Sequence, residues 1–366
     1  MIRIKSENPP GDERQIAAFV NNYLKRLGFR TRIFSLKRNR HNVIGLLSGR
    51  NQGHTLLLTP HLDTVPQGRH WHFSPFGGTV HKGRLYGLGA TDCKGNMAAG
   101  LEAINSLIED GCSLDYNLLF AATSDEESGS VLGLVPLLER KILRPDAALV
   151  LDSDDFNIVV AQKGLLHIKV KIKGKRAHGA YPWLGINAID IAVAILKELK
   201  SYKFIHRKNK YLKPPTLNIG TINGGDKVNV VADWCEFELD FRFLPGESGK
   251  EIIGRLRKII KRHTGNFKIE VQGLQKHFSI EERHPLVVCL SRAMRKMKAR
   301  HKVCGSEGAT VISFFQNEKI PAIATGFGCS GCAHSSNEYA KISSLHKGAL
   351  VLEEFLKDYQ LIKRRK

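Results

Sequence analysis

The most constraining feature of the chain is a short apolar run that recurs four times and stops each time at a histidine or at carboxylates. Thr55–Thr59 (TLLLT) leads to His61, and 118–122 (LLFAA) to Asp125, Glu126 and Glu127. Residues 147–151 (AALVL) lead to Asp152, with Asp154 and Asp155 just beyond, and 322–326 (AIATG) lead through a glycine-rich loop to His334. Apolar runs of this length between turn residues read as buried strands. A buried strand that ends in ionisable groups must pair or coordinate them, because an unpaired buried charge is costly. Taken singly, the acidic end at 125–127 reads equally well as a solvated turn, since acids commonly sit on the surface, and His61 alone reads better as a surface-loop histidine. Four such ends point to one shared site.

The stretches between the runs are helical. Ile16, Phe19, Val20, Tyr23 and Leu24 recur at helical spacing, and further helices are expected at 96–109, 131–140, 285–299 and 345–359. Strands alternating with helices argue for an α/β domain with a largely parallel sheet. In such sheets the site lies beyond the carboxyl ends of the strands. Several acids gathered there repel, and a divalent metal is the natural counter-charge. His61 and Asp63 lie two apart, a spacing that suits a metal-ligating imidazole with a carboxylate behind it to fix the tautomer. Glu126 and Glu127 are adjacent, so in extended chain they point opposite ways and do different jobs. Asp92 sits in the glycine-rich stretch 83–95 (GRLYGLGATDCKG) at the start of a helix. Gly87-Leu88-Gly89 is not a dinucleotide fingerprint, because Asp92 occupies the place of the third glycine. A carboxylate at that position suits a metal better than a phosphate, which wants bare N–H groups.

From residue 165 the pattern changes. Strands at 167–172, 216–222, 235–243 and 267–271, with helices at 185–199 and 249–263, give the order β-α-β-β-α-β of ferredoxin-like units. We therefore expect residues 165–274 to form an inserted α+β domain, and 1–164 with 275–366 a discontinuous catalytic, metal-binding domain. A chain of 366 residues is also long for one core.

Composition narrows the class. Apolar content of 42% and charged content of 25% are those of a globular protein. No apolar run approaches the ~18 residues of a membrane span, and the first residues, MIRIKSENPPGDE, show no signal-peptide core. Seven cysteines scattered along the chain suggest a reducing cytoplasm. Cys329-x-x-Cys332 has the spacing of half a zinc site or of a redox pair. It has neither a second CxxC nor a thioredoxin-like surround, so His334 is the better ligand candidate. The net charge of +21, with basic clusters at 30–40, 163–176, 197–213, 255–276, 292–302 and 363–366, could attract nucleic acid. Without interleaved aromatics or a nucleic-acid module, a generally basic surface is the better reading.

These residues resemble the co-catalytic zinc aminoacylase and carboxypeptidase family, which includes acetylornithine deacetylase, succinyl-diaminopimelate desuccinylase, carboxypeptidase G and several di- and tripeptidases. The resemblance runs essentially the whole chain. It is carried by HLDTVP at 61–66, GATDCKG at 89–95, SDEESGS at 124–130, AHGAYPWLGINAI at 177–189 and AHSSNEY at 333–339. It implies two divalent metal ions, zinc or else cobalt or manganese. Asp92 would bridge them, with His61 and Asp152 on one ion and Glu127 and His334 on the other. Glu126 would be the general base and acid, and Asp63 would orient His61. His178 would reach a partner subunit's site and stabilise the oxyanion, while Asn229 and Arg242 would hold the substrate carboxylate. The inserted domain would be a dimerisation or lid domain, making a homodimer. The implied activity is amide hydrolysis of N-acyl amino acids or of short peptides. Residues at every ligand position weigh against a non-enzymatic binding protein on the same scaffold.

The sequence departs from the family in places. Asp152 stands where many members carry Glu, and in the family Asp at this place is commoner among peptidases. Ala232 replaces a usual proline, and Glu307 lies near a usual Asp. A helix normally precedes the SENPPGDE stretch, which leads us to expect a native start upstream of Met1.

Overall fold

The computed structural model describes residues 1–359; the basic cluster at 363–366 lies outside the described residues. In chain order the elements are α1 (Arg14–Arg26), β1 (Arg30–Lys37), β2 (Arg40–Leu47), β3 (Thr55–Thr59), β4 (Thr79–His81), β5 (Arg84–Tyr86), α2 (Lys94–Glu109), β6 (Asn117–Ala122), α3 (Leu134–Glu139), β7 (Ala147–Val150) and β8 (Asn157–Gln162). Then come β9 (Gly164–Lys173), α4 (Ala188–Ser201), β10 (Thr216–Gly224), β11 (Trp234–Phe243), α5 (Gly249–Lys261), β12 (Phe267–Gln275) and β13 (Phe278–Ser279). The chain closes with α6 (Pro285–Lys296), β14 (Lys302–Ser306), α7 (Ile312–Asn317), β15 (Ala322–Ala324), β16 (Tyr339–Lys341) and α8 (Ile342–Asp358). Two compact units result: Met1–Val160 with Ile280–Cys304 and Phe314–Lys366, and Ala161–Ser279 with Gly305–Ser313.

The first unit is built on a mixed sheet in the order β1-β2-β6-β3-β7-β15-β8. Its middle four strands, β6, β3, β7 and β15, are mutually parallel. They are short and apolar on both faces because both faces are covered; Leu56, Leu57, Leu58, Phe120 and Leu149 are completely buried. The strands that end in the candidate ligands are therefore neighbours. β1 and β2 form an antiparallel hairpin at one edge. The basic cluster expected at 30–40 is largely strand β1, whose RTRIFSLK pattern leaves its basic residues exposed. α3 is shorter than the expected 131–140, starting only after Gly133. That glycine is required: a Cβ there would lie 1.8 Å from the Ser124 carbonyl oxygen.

The second unit has a sheet in the order β10-β11-β9-β12, all antiparallel. With α4 and α5 this is the ferredoxin-like arrangement. Strand residues alternate between a buried face and a solvated one: Leu166, Ile168, Val170 and Ile172 face in, with Phe237, Leu239 and Phe241 beside them. α5 is fixed at its start by a capping box between Ser248 and Glu251. Its Ile252, Leu256, Ile259 and Ile260 meet Ile195 and Leu199 of α4 in the same core. Among the described residues, no helix is long and apolar enough to cross a membrane.

Candidate metal centre

The parallel strands of the first unit bring seven sequence-predicted residues to one place. Two steps past β3, His61 bridges to Thr123 and is buried. Its Nε2 lies 2.8 Å from Asp92 Oδ1. The other oxygen of Asp92 lies 3.1 Å from Nε2 of His334, and that same nitrogen is 3.0 Å from Glu127 Oε2. Asp92 thus turns one oxygen to each histidine. Two donor sets form around it: His61 with Glu126 and Asp152, and Asp92 with Glu127 and His334, each within 4.8 Å atom to atom.

The electrostatics demand a cation. Burial, then the nearby Asp92, pushes Asp152 up to about 7. Burial, then Asp152, pushes Glu126 well above the usual carboxylate range. Asp92 is held well below that range; burial acts the other way, but hydrogen bonds to His334 and His61 prevail. His334 is raised to about 10 by its bonds to Asp92 and Glu127. Glu127 Oε1 is buried with no hydrogen-bond partner. This orphaned oxygen and the mixed imidazole and carboxylate donors fit divalent ions of the zinc type.

Cys93 also touches His61. Its Sγ accepts from the His61 N–H at 3.1 Å and donates to the His61 carbonyl at 3.3 Å. Burial pushes the thiol up to about 12.

One sequence expectation needs correction. Glu126 and Glu127 are not in extended chain; Glu126–Ser128 is a 3₁₀ turn entered through Asp125 in the left-handed region, at φ 68°. The turn still sends the two glutamates to different donor sets. The Asp63 carboxylate, expected to orient His61, lies 3.6 Å from His61 Nδ1 as an ion pair. The Asp63 main-chain carbonyl, at 3.0 Å, also holds the ring. The carboxylate accepts the N–H groups of Glu126 (3.1 Å) and Glu127 (3.2 Å), and so fixes the turn that bears them.

Sequence reasoning missed two supporting groups. Buried Arg40 pairs with Glu13 at 2.9 Å and Asp125 at 3.0 Å, while Asn8 bonds Asp63 at 2.9 Å. Glu338, also buried, clamps the loop of Asp92. Its Oε1 accepts from Thr91 N (2.7 Å) and Asp92 N (3.0 Å), and its Oε2 from Gly89 N (3.0 Å). The one available signal was its place in AHSSNEY, four residues after His334.

His178, Asn229 and Arg242 belong to the second unit. His178 bridges to Val230, and Gly179 N donates to the Asn229 carbonyl at 2.8 Å, so His178 and Asn229 are side by side. The His178 Nδ1 accepts from Ala180 N at 3.0 Å. In the neutral ring this places the proton on Nε2. Arg242 on β11 forks onto Asp240 at 2.8 and 3.0 Å. Glu307 pairs with buried Lys163 at 2.6 Å. Ala232 is buried.

Strand ends that gather carboxylate and imidazole donors around Asp92 form the kind of site a metal-dependent amide hydrolase uses. The chain belongs to Peptidase family M20/M25/M40, which residues 57–358 match. It is similar to the acetylornithine deacetylase of Vibrio atlanticus, with 29% identity over 365 residues that cover 95% of this chain and 92% of that protein. Aminopeptidase PepT from Bacillus cereus has the same fold, with a TM-score of 0.81 at 24% identity over 97% of this chain and 95% of that one. So does a dinuclear metal binding peptidase of the M20 family from Bacillus subtilis, with a TM-score of 0.71 at 17% identity over 94% and 91%.

Proposed function

We propose that the protein removes the acyl group from N-acyl amino acids with a pair of zinc ions. The observation that carries this is Asp92, whose two oxygens face His61 and His334 separately. His61, Asp92 and Asp152 would hold one ion, and Asp92, Glu127 and His334 the other. Bound there, the ions would lower the pKa of a held water and polarise the scissile carbonyl.

The remaining chemistry falls to side chains. Glu126 takes the proton of the attacking water and hands it to the leaving amine, a role suited to a carboxyl with a raised pKa. Asp63 positions Glu126 through its backbone N–H. His178, with its proton on Nε2, stabilises the oxyanion from a partner subunit. Asn229 and Arg242 bind the carboxylate of the amino acid. Residues 165–274 serve as the dimerisation domain. In support, β10 is an edge strand of its sheet and Trp183, Leu184, Val193 and Ile222 are exposed apolar groups. The seven cysteines are all free, which supports a cytoplasmic setting.

The deacetylase relative, matched over nearly its whole length, favours acylated substrates. Asp152 in place of the glutamate of many relatives favours a second reading, an exopeptidase acting on free short peptides. A panel of N-acetyl- and N-succinyl-amino acids, dipeptides and tripeptides, each assayed with zinc, cobalt and manganese, separates the two. Cleavage of acylated compounds is expected; cleavage of free peptides alone would replace the deacylase with the exopeptidase.

A further inference from the structure

The Cys329–Cys332 pair lies outside the chemistry described above, yet it sits on the loop that carries His334. Cys332 N donates to the Cys329 carbonyl at 3.1 Å, closing a four-residue turn. Gly331, at φ 75°, occupies its third position, the one where a type II turn needs a left-handed residue. Such a turn brings its end Cα atoms within about 7 Å, and a disulfide spans Cα separations of about 4.4–6.8 Å. The side chains converge as well. The Cys329 thiol is 3.2 Å from the Tyr339 hydroxyl, and the Cys332 thiol contacts both Cys329 and Tyr339. Both thiols are partly exposed, whereas Cys93, Cys235 and Cys289 are buried.

The two ends of the turn differ in freedom. Cys329 is fixed: its N–H donates to Thr91 Oγ1 at 3.0 Å, and Gly328 before it accepts from Asp155 N at 3.1 Å. Cys332 is held to the residues after it, through Ser335 Oγ on its carbonyl at 2.6 Å. A contraction between the sulfurs therefore moves Cys332 and the segment running on to His334.

We propose that Cys329 and Cys332 form a redox-active dithiol, which hydrogen peroxide oxidises to a disulfide that shifts His334 against Asp92 and Glu127. One thiol gives up its proton and the thiolate attacks an oxygen of hydrogen peroxide; the O–O bond breaks, a sulfenic acid forms, and the departing hydroxide takes that proton and leaves as water. The second sulfur attacks that sulfenic sulfur; the S–S bond forms, the S–O bond breaks and a second water leaves. Two electrons pass from sulfur to peroxide, and a dithiol reductant reverses the change.

The metal consequence rests on the hydrolase reading above; the disulfide does not. The test treats the zinc-loaded full chain with stoichiometric hydrogen peroxide, maps cross-links by non-reducing peptide mass spectrometry, and counts bound zinc before and after. The expected result is a cross-link between Cys329 and Cys332 with loss of bound zinc, both reversed by dithiothreitol. Cys332→Ser and Cys329→Ser should each bind zinc normally and show neither change, while Cys112→Ser should respond like the parent. Both thiols remaining titratable while Cys112 is oxidised would overturn the proposal, as would a cross-link that leaves zinc binding unchanged. A chain that binds no zinc before oxidation sinks the hydrolase reading, and the mass map then still judges the disulfide alone.

Discussion

Replacing Glu338 tests whether the Asp92 loop is held by a carboxylate clamp. Three backbone N–H groups, those of Gly89, Thr91 and Asp92, end on this one side chain. Each buried donor left without a partner costs roughly 1–3 kcal/mol. Glu338→Ala orphans all three, so it should destabilise the protein by about 3 kcal/mol or more. Glu338→Gln is gentler in a predictable way. Its carbonyl oxygen can serve Thr91 and Asp92 as Oε1 does, but its NH₂ group then meets the Gly89 N–H donor to donor. One bond of three is lost, at about 1–3 kcal/mol. Urea unfolding of the metal-free proteins, with the slope checked for constancy, gives both values. The predicted order is wild type, then Gln, then Ala. An alanine variant within 0.5 kcal/mol of wild type, roughly the scatter of surface substitutions, would refute the clamp, as would equal costs for the two variants.

Other consequences follow from the same geometry. Arg40→Met leaves the buried carboxylates of Glu13 and Asp125 without their cation and should cost about 3–5 kcal/mol in urea unfolding; a cost below about 1 kcal/mol, the worth of an exposed pair, would contradict the network. Metal binding should release protons near neutral pH, because His334 at about 10 and Asp152 at about 7 must lose theirs to ligate. Affinity should therefore rise with pH, and calorimetry in buffers of different ionisation enthalpy should show the protons; heats independent of buffer would count against these ligands.

Much of this was legible in the sequence for one physical reason. Buried parallel strands are short apolar runs, so the residues at their ends, His61, Glu127 and Asp152, stand out as candidate ligands. The inserted unit was equally legible, since Leu166 to Ile172 alternate as a half-solvated strand must. What escaped depends on contacts distant in sequence. Arg40 meets Glu13 and Asp125 only in the folded chain, and Glu338 meets residues nearly 250 positions away. Neither carries a local period. The 3₁₀ turn at Glu126 escaped because it depends on Asp125 taking a left-handed backbone, which its bonds to Arg40 and to Leu132 N hold in place. That the Asp63 carboxylate also takes the N–H groups of Glu126 and Glu127 is visible only at atomic distances.

If Glu126 moves the proton in amide hydrolysis while its neighbours hold metal, Glu126→Gln, assayed on an N-acetyl amino acid with zinc supplied and bound zinc counted, should keep its zinc while kcat falls by about 10²–10⁴-fold, the usual worth of a positioned acid–base group. Full hydrolysis by the zinc-loaded variant would show that Glu126 does not carry the proton.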